Sequence, residues 1–391
     1  MSWRAFRNGL QKIHLWVGLA LSIPFILIGI SGSMIVVFSE LPKISQPAAP
    51  ARGEYQPMTK ILAAALATAP EGWRTSVVIM PDSVGKPAVV QLALPEGQRP
   101  PRGAGQNFVA GVRYVDPVSL QVLEGTEIPR NGPVMRVMTM THIALMAPAY
   151  YGAQTVGWMG VAMTLFGITG LILWWPSKGQ WRQALVIKRG ARGFRLNRDL
   201  HGAIGFWSLL VFMILSVSGV YLAFPVTVET AVKAIASMES ELAEATVDEA
   251  VVANVVDKNA PTADEIAMLA LSAVPNSRLY SVQLPPEPGG ISMVTLMPEP
   301  YGDGAPQISV FVGPGTDVSS IVDPRSYDFA KRMLVWIRVM HYGLGLGVIW
   351  KVLVFFAGFL PLLFAITGLR MWQLKRGQRR AVPEGLAAPA E

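Results

Sequence analysis

The sequence predicts a four-span α-helical membrane bundle, arranged as two parallel repeats, with one small α+β domain carried outside the cytoplasm by each repeat. Three observations predict it: four apolar stretches of membrane-crossing length, basic residues gathered in the segments on one side of them, and short motifs that recur at offsets of 187 and 198 residues. Of the 391 residues, 51% are hydrophobic and 15% charged, a balance that suits a membrane protein with soluble insertions rather than a soluble globular chain. There are no cysteines, which removes disulfide frameworks, thiolate zinc sites and cysteine-ligated iron–sulfur clusters.

The spans are Ile13–Phe38, Thr155–Trp175, Ile204–Phe224 and Val352–Trp372. Each reaches the roughly 20 residues needed to cross a hydrocarbon core of about 30 Å. Tryptophans mark their ends, as the membrane interface prefers: Trp16, Trp158, Trp174, Trp175, Trp350 and Trp372. Pro24 and Pro361 interrupt two spans, which neighbouring helices can accommodate. Fifteen of the 33 lysines and arginines fall in three short segments. Arg4, Arg7 and Lys12 precede the first span; Lys178, Arg182, Lys188, Arg189, Arg192, Arg195 and Arg198 link the second to the third; Arg370, Lys375, Arg376, Arg379 and Arg380 close the chain. The positive-inside rule makes that side cytoplasmic, so both termini are expected there. The net charge of +7 is thus a topology signal, and nucleic acid is not an expected partner. The first apolar run is too long for the core of a signal peptide and reads as an uncleaved anchor.

The expected organisation is a first span over 8–38, an outer domain over 39–133, an outer-edge helix and second span over 134–175, and a cytoplasmic link over 176–200. The third span follows over 201–225, the second outer domain over 226–330, an outer-edge helix and fourth span over 331–375, and a tail over 376–391. Ser31-Gly32 matches Ser218-Gly219, Ile168-Thr169-Gly170-Leu171 matches Ile366-Thr367-Gly368-Leu369, and Val115-Asp116-Pro117 matches Val322-Asp323-Pro324, this last at an offset of 207. Both halves enter from the cytoplasm, which makes the repeats parallel. Each outer segment opens with a helical pattern, Met58–Ala69 or Thr262–Ala273, which either packs into the domain or precedes a linker. Strand-like runs follow at Ser76–Met80, Ala88–Leu92 and Val112–Leu123, and at Leu279–Leu284, Ser292–Leu296 and Ile308–Val312.

The four histidines are the chemistry-bearing residues. His14 and His201 open the first and third spans at the cytoplasmic edge; His142 and His341 precede the second and fourth at the outer edge; none lies within either outer domain. A lone histidine at a membrane edge is ordinarily a hydrogen-bonding interfacial residue, but four in equivalent positions point to a metal or haem. A span of about 20 residues separates the edges by some 30 Å. His14 can therefore meet only His201, and His142 only His341, giving two bis-histidine sites of the kind a b-type haem uses. Gly18 and Gly205, one turn after His14 and His201, leave room for a porphyrin face; Gly343, Gly345 and Gly347 after His341, and Ala144 and Ala147 after His142, do the same, although small residues also serve close helix packing. Arg198, Arg195, Arg136 and Arg338 are candidates for pairing with haem propionates, with positive-inside charge the other reading of the first two. Met135, Met138, Met140 and Met146 around His142 would suit Cu(I), but the second half has only Met333 and Met340 near His341, so apolar filling competes with a copper role. No Walker or GxGxxG loop and no Ser/His/Asp arrangement is present, so no flavin, nicotinamide or hydrolytic site is evident.

The span–domain–span unit, the Val-Asp-Pro ends and the Ile-Thr-Gly-Leu endings resemble the PepSY-associated transmembrane proteins over about residues 8–375. With a histidine at each of four span edges, the chain is most similar to the FoxB-type inner-membrane ferric-siderophore (ferrioxamine) reductases. That resemblance implies PepSY-like periplasmic domains, residence in the bacterial inner membrane and two b-type haems on His14, His201, His142 and His341. It also implies reduction of a periplasmic ferric siderophore that releases iron as Fe(II). The electron donor, quinol or a cytoplasmic flavoprotein, stays open, and membrane lipid is the other expected partner. Two further readings stand beside it: a haem-bearing electron-transfer subunit for a separate periplasmic enzyme, and a non-enzymatic protein that binds peptide or handles copper.

Overall fold

The computed structural model describes residues 2–50, 52–98, 109–125, 132–236, 261–287, 289–299, 306–315 and 317–380. Parts of the expected second outer domain (237–260) and of the tail (381–391) lie outside the described residues. Four helical stretches are long and apolar enough to cross a membrane: Ser22–Leu41, Tyr150–Trp174, Gly193–Ala223 and Gly347–Gly377.

Two of the four spans are built from two helices each. The first runs through α1 (Trp3–Ala20) and α2 (Ser22–Ile44), which meet at Leu21. The fourth runs through α11 (Gly347–Ala357) and α12 (Leu360–Arg380), which meet at Gly358 and Phe359. The prolines explain both joints. Pro24 and Pro361 sit in the first turn of α2 and α12, where a missing N–H costs nothing, so each starts a new helix instead of kinking an old one. The second and third spans, α5 (Ala149–Trp174) and α7 (Gly193–Ala223), are continuous. Small residues let the helices close up: a side chain at Gly29 of α2 would run into the carbonyl of Gly358, and one at Gly358 into Ser33. The Ser33 hydroxyl donates to Phe355 O across the same crossing, 2.6 Å. Gly160 and Gly167 of α5 play the same part against Val220 and Met213 of α7.

Two shorter helices lead into the second and fourth spans. Helix α4 (Pro133–Ala144) packs along α2, and α10 (Phe329–His341) packs along α7. Helix α4 ends on Leu145 and Met146 at positive φ, whereas α10 ends on Gly343, Gly345 and Gly347, all at positive φ. Those three glycines make a turn that L side chains rarely adopt. Two further helices flank the third span: α6 (Trp181–Ala184) in the link and α8 (Pro225–Ala236) after it.

The outer segments are not two separate domains. Strands β1 (Arg74–Ile79), β2 (Ala88–Ala93), β3 (Gly111–Val115) and β4 (Val122–Leu123) come from the first. Strands β5 (Ser277–Gln283), β6 (Ser292–Pro298), β7 (Ile308–Val312) and β8 (Val318–Val322) come from the second. They form one antiparallel eight-stranded sheet in the order β4-β3-β2-β1-β5-β6-β7-β8. Pairing of β1 with β5, through Val77↔Gln283, Val78↔Val282 and Ile79↔Ser281, removes the edge that each four-stranded half would otherwise expose. A row of valines crosses the junction: Val90, Val78, Val282, Val294 and Val310 are cross-strand partners in turn and each is 0% exposed. Helices α3 (Met58–Ala67) and α9 (Ala263–Ala273) cover this row with Ile61, Leu62, Ala65, Ile266, Ala267 and Ala270, so both halves share one core. Burying each valine or isoleucine is worth about 1.5–3 kcal/mol. The expected Val112–Leu123 strand is two strands divided by a turn, in which the buried Asp116 carboxylate accepts from Val118 N and Ser119 N. Val322-Asp323-Pro324 lies at the end of β8, not at the end of β7 where the sheet order would set a partner for Val115-Asp116-Pro117 at the end of β3. The residues in that place are Val312-Gly313-Pro314, an offset of 197, which agrees with the 198 of the Ile-Thr-Gly-Leu pair.

The halves also cap each other. The Asp264 carboxylate on α9 accepts from Met58 N (2.7 Å), Thr59 N (3.0 Å) and Thr59 Oγ1 (2.8 Å), taking up free donors at the start of α3, whose own N-cap is Pro57. Asp264→Ala is expected to lower the stability of the outer sheet by about 1 kcal/mol. The loss should show as faster hydrogen exchange at Met58 and Thr59; unchanged exchange there would remove Asp264 as the cap.

Candidate functional site

All four histidines lie on helices of the membrane bundle, and the structure brings them together two by two. His142, in the last turn of α4, faces His341, in the last turn of α10, with ring centres 6.0 Å apart and planes inclined at 48°. His14 of α1 stands against α5, and His201 of α7 stands against α12, in matching positions of the two halves. The first of these pairs lies deeper than the outer edge at which the sequence sets it. His142 reaches the Ile28 carbonyl of α2, and His341 reaches Ser218 of α7, because α4 and α10 lie alongside those spans rather than above them.

Each ring is held through the same atom. His14 Nδ1 lies 2.9 Å from Thr169 Oγ1 on α5, and His201 Nδ1 lies 2.8 Å from Thr367 Oγ1 on α12. His142 Nδ1 lies 2.8 Å from Ile28 O, and His341 Nδ1 lies 2.7 Å from Ser218 Oγ. A carbonyl only accepts, so His142 Nδ1 carries the proton. The hydroxyls have already placed their own protons. Thr169 donates to Leu165 O (2.8 Å), Thr367 to Leu363 O (2.8 Å) and Ser218 to Ile214 O (2.5 Å). Each hydroxyl oxygen keeps its lone pairs for its histidine, so the arrangement favours the Nδ1–H tautomer, which leaves Nε2 as the nitrogen available to a metal. A histidine that binds metal is ordinarily oriented in this way, by a hydrogen bond from its other nitrogen.

The short motifs of the sequence prove to be the walls of these sites. Thr169 and Gly170 both face His14, and Thr367 and Gly368 both face His201; a Cβ on Gly170 or Gly368 would stand 3.7 or 3.9 Å from Cε1 of its ring. Gly219 is set likewise toward His341 at 3.5 Å, and Gly32 toward His142 at 2.7 Å. The motif extends to Phe-x-Ile-Thr-Gly-Leu: Phe166 meets the His14 ring edge-on at 4.7 Å, and Phe364 meets the His201 ring at 5.0 Å. Sequence reasoning missed Thr169, Thr367, Ser218, Phe166 and Phe364 as site residues, although their recurrence was a signal that could have found them. Gly18 and Gly205 do not face open space: Phe166 and Phe364 fill it, 3.2 and 3.8 Å from where their Cβ atoms would stand.

Arg198, Arg195 and Arg338 have partners other than the histidines. Arg198 is exposed and pairs with Asp199 (3.3 Å), as does Arg195 (3.4 Å), so the buried Asp199 engages both. Arg338 donates to the Tyr221 hydroxyl, which donates to Glu229, both at 3.1 Å. Arg136 lies exposed near the start of α4. Of the Met run, Met146 lies beyond the end of α4 and is 61% exposed. Among the described residues no group of three or more His, Asp or Glu side chains converges as a metal cage.

The sheet carries two hollows. One, of about 290 Å³, is lined by Tyr55, Lys86 and Pro117 among others; the second, of about 320 Å³, lies between Asp82, Ser83, Lys86 and Arg278. Burial pushes the Asp82 carboxyl up, but hydrogen bonds from Lys86 and Ser83 outweigh it and hold the group below the usual carboxylate range. Neither hollow is lined by a histidine.

Comparison with the curated proteins finds no match. The family model of the PepSY-associated TM region matches residues 11–375, which takes in both histidine pairs and the whole sheet, and the chain belongs to that family.

Proposed function

We propose that this protein is a di-haem reductase of the bacterial inner membrane that passes electrons to a ferric siderophore on the periplasmic face. The observation that carries the reading is the placement of the four imidazoles: Nδ1 of each lies within 2.9 Å of a fixed oxygen, which leaves Nε2 of each to face a ligand. Spacing supports it. Metal–imidazole bonds of about 2 Å, with about 1 Å from each nitrogen to its ring centre, set two opposed ligands about 6 Å apart. His142 and His341 stand at 6.0 Å. The glycines facing each ring leave its edge uncrowded by a side chain, as a flat macrocycle requires.

In this reading His14 and His201 hold one haem b, and His142 and His341 hold the other. The bound haem supplies a one-electron ferric/ferrous couple. The chain supplies the rest. Two imidazoles per site would hold each haem, and Phe166 and Phe364 pack against the rings of the inner pair. The ferric siderophore needs no acid or base from the protein, since hard oxygen donors hold Fe(III) far more tightly than Fe(II). The two halves act as parallel repeats whose PepSY-like segments merge into the one periplasmic sheet, with the basic link and tail in the cytoplasm. No nucleotide-binding loop is present, so the electron donor is a quinol or a separate flavoprotein.

Single variants should fall into two spectroscopic classes. His14→Ala and His201→Ala are expected to damage one haem signal, and His142→Ala and His341→Ala the other, with little added loss in a double variant within a class. A shared loss from His14→Ala and His142→Ala would break the pairing. In oriented vesicles, ferrioxamine added to the outer face should reoxidise the reduced protein, and His142→Ala or His341→Ala should stop this with the inner haem still reducible. Reoxidation from the cytoplasmic face alone would contradict the reductase reading and favour an electron-transfer subunit.

A further inference from the structure

We infer that Thr169, Thr367 and Ser218 are positioning residues that set the tautomer and the electron-donating strength of His14, His201 and His341; the inference rests on the haem reading above. Each hydroxyl is doubly fixed. It donates to a carbonyl one turn back on its own helix and accepts the Nδ1 proton of a histidine on another helix. With its proton on that carbonyl, the oxygen meets the ring as an acceptor. An acceptor drawn up to Nδ1–H makes the imidazole richer in electrons at Nε2, and a richer ligand favours ferric over ferrous iron. The two pairs are built differently. Both inner rings lean on threonine hydroxyls, whereas the outer pair leans on one serine hydroxyl and on backbone carbonyls, that of Ile28 for His142 and that of Leu215 beside Ser218 for His341. Ser31, which the sequence pairs with Ser218, donates to Leu27 O (2.5 Å) and Ile28 O (3.1 Å), so it shares the carbonyl that His142 uses. Side-chain substitution can thus remove both acceptors of the inner site but only one of the outer.

The geometry sets out the consequence for each variant. Thr367→Val keeps the shape of the side chain and removes the acceptor, leaving a buried Nδ1–H without a partner. The ring then binds as a weaker donor, or turns over to the other tautomer and stops binding. The midpoint potential of one haem should rise, by about 59 mV for each tenfold change in the ferric-to-ferrous affinity ratio. Thr169→Val should shift the same haem, Ser218→Ala the other, and Thr367→Ser should restore the wild-type value. Thr164→Val is the control: Thr164 makes the same bond to a carbonyl one turn back on α5, to Gly160 O at 3.0 Å, and touches no histidine in the structure.

The experiment is a redox titration of the purified full chain, with optical and electron paramagnetic resonance spectra taken on the same samples. Upward shifts confined to one haem per variant, with rescue by Thr367→Ser and no shift in Thr164→Val, are the expected result. Loss of one haem of two from a variant that still runs as a single folded species supports the inference equally. If both haems are bound and neither potential nor spectrum moves in Thr169→Val, Thr367→Val or Ser218→Ala, the inference falls and the haem reading stands. Should Thr367→Val fail to fold, Thr169→Val, which removes the hydroxyl facing His14 on α5, decides in its place. A wild-type protein that binds no haem overturns both.

Discussion

A buried imidazole must give its ring N–H to an acceptor, and in this bundle every histidine gives it to an oxygen on a different helix. His14 joins α1 to α5, His201 joins α7 to α12, His142 joins α4 to α2, and His341 joins α10 to α7. Four hydrogen bonds thereby tie eight helix positions into one frame, and the same bonds decide which ring nitrogen is left free. Stability and chemistry are coupled at these points: moving a helix would leave an orphaned donor in an apolar interior as well as turning a ligand away from its partner. The frame also sets depth. His201 and Ser218 are seventeen residues apart on the unbroken α7, about 26 Å at 1.5 Å per residue, and this separates the two pairs along one rigid rod.

The outer sheet completes the frame from above. Each half alone would leave β1 or β5 as an open edge. Joining the edges yields the unbroken row of valines from Val90 to Val310 and lets Asp264 of one half cap a helix of the other. The halves of the membrane bundle are thus held at a common spacing both by helix crossings such as Gly29 on Gly358 and by a shared sheet.

Much of this is legible in the amino-acid sequence, and the limits have physical causes. Spans and helices are readable because hydrophobic length and periodicity are local properties; α3 and α9 begin within a residue of where their patterns do. The pairing of histidines follows from depth alone. The joining of β1 to β5 is not readable, since it unites segments some 200 residues apart whose strands look the same whether paired to a neighbour or standing at an edge. The recurring motifs are visible as repetition, yet their task is hidden. A threonine in a membrane helix ordinarily bonds its own i−4 carbonyl, as Thr169 does, and only the crossing of α1 over α5 shows that its oxygen also holds His14. The Val-Asp-Pro match misleads for the complementary reason: Asp116 and Asp323 both brace turns after strands, a need that arises wherever a strand ends.

On the proposed function, the four imidazoles hold two haems in one chain. Haem stoichiometry with spin state, measured on full-length protein purified from cells with ample haem, tests it most directly. The account requires two b-type haems per chain, both low-spin in the ferric state with bis-imidazole signals. One haem per chain, a high-spin ferric signal from either site, or colourless protein would contradict it.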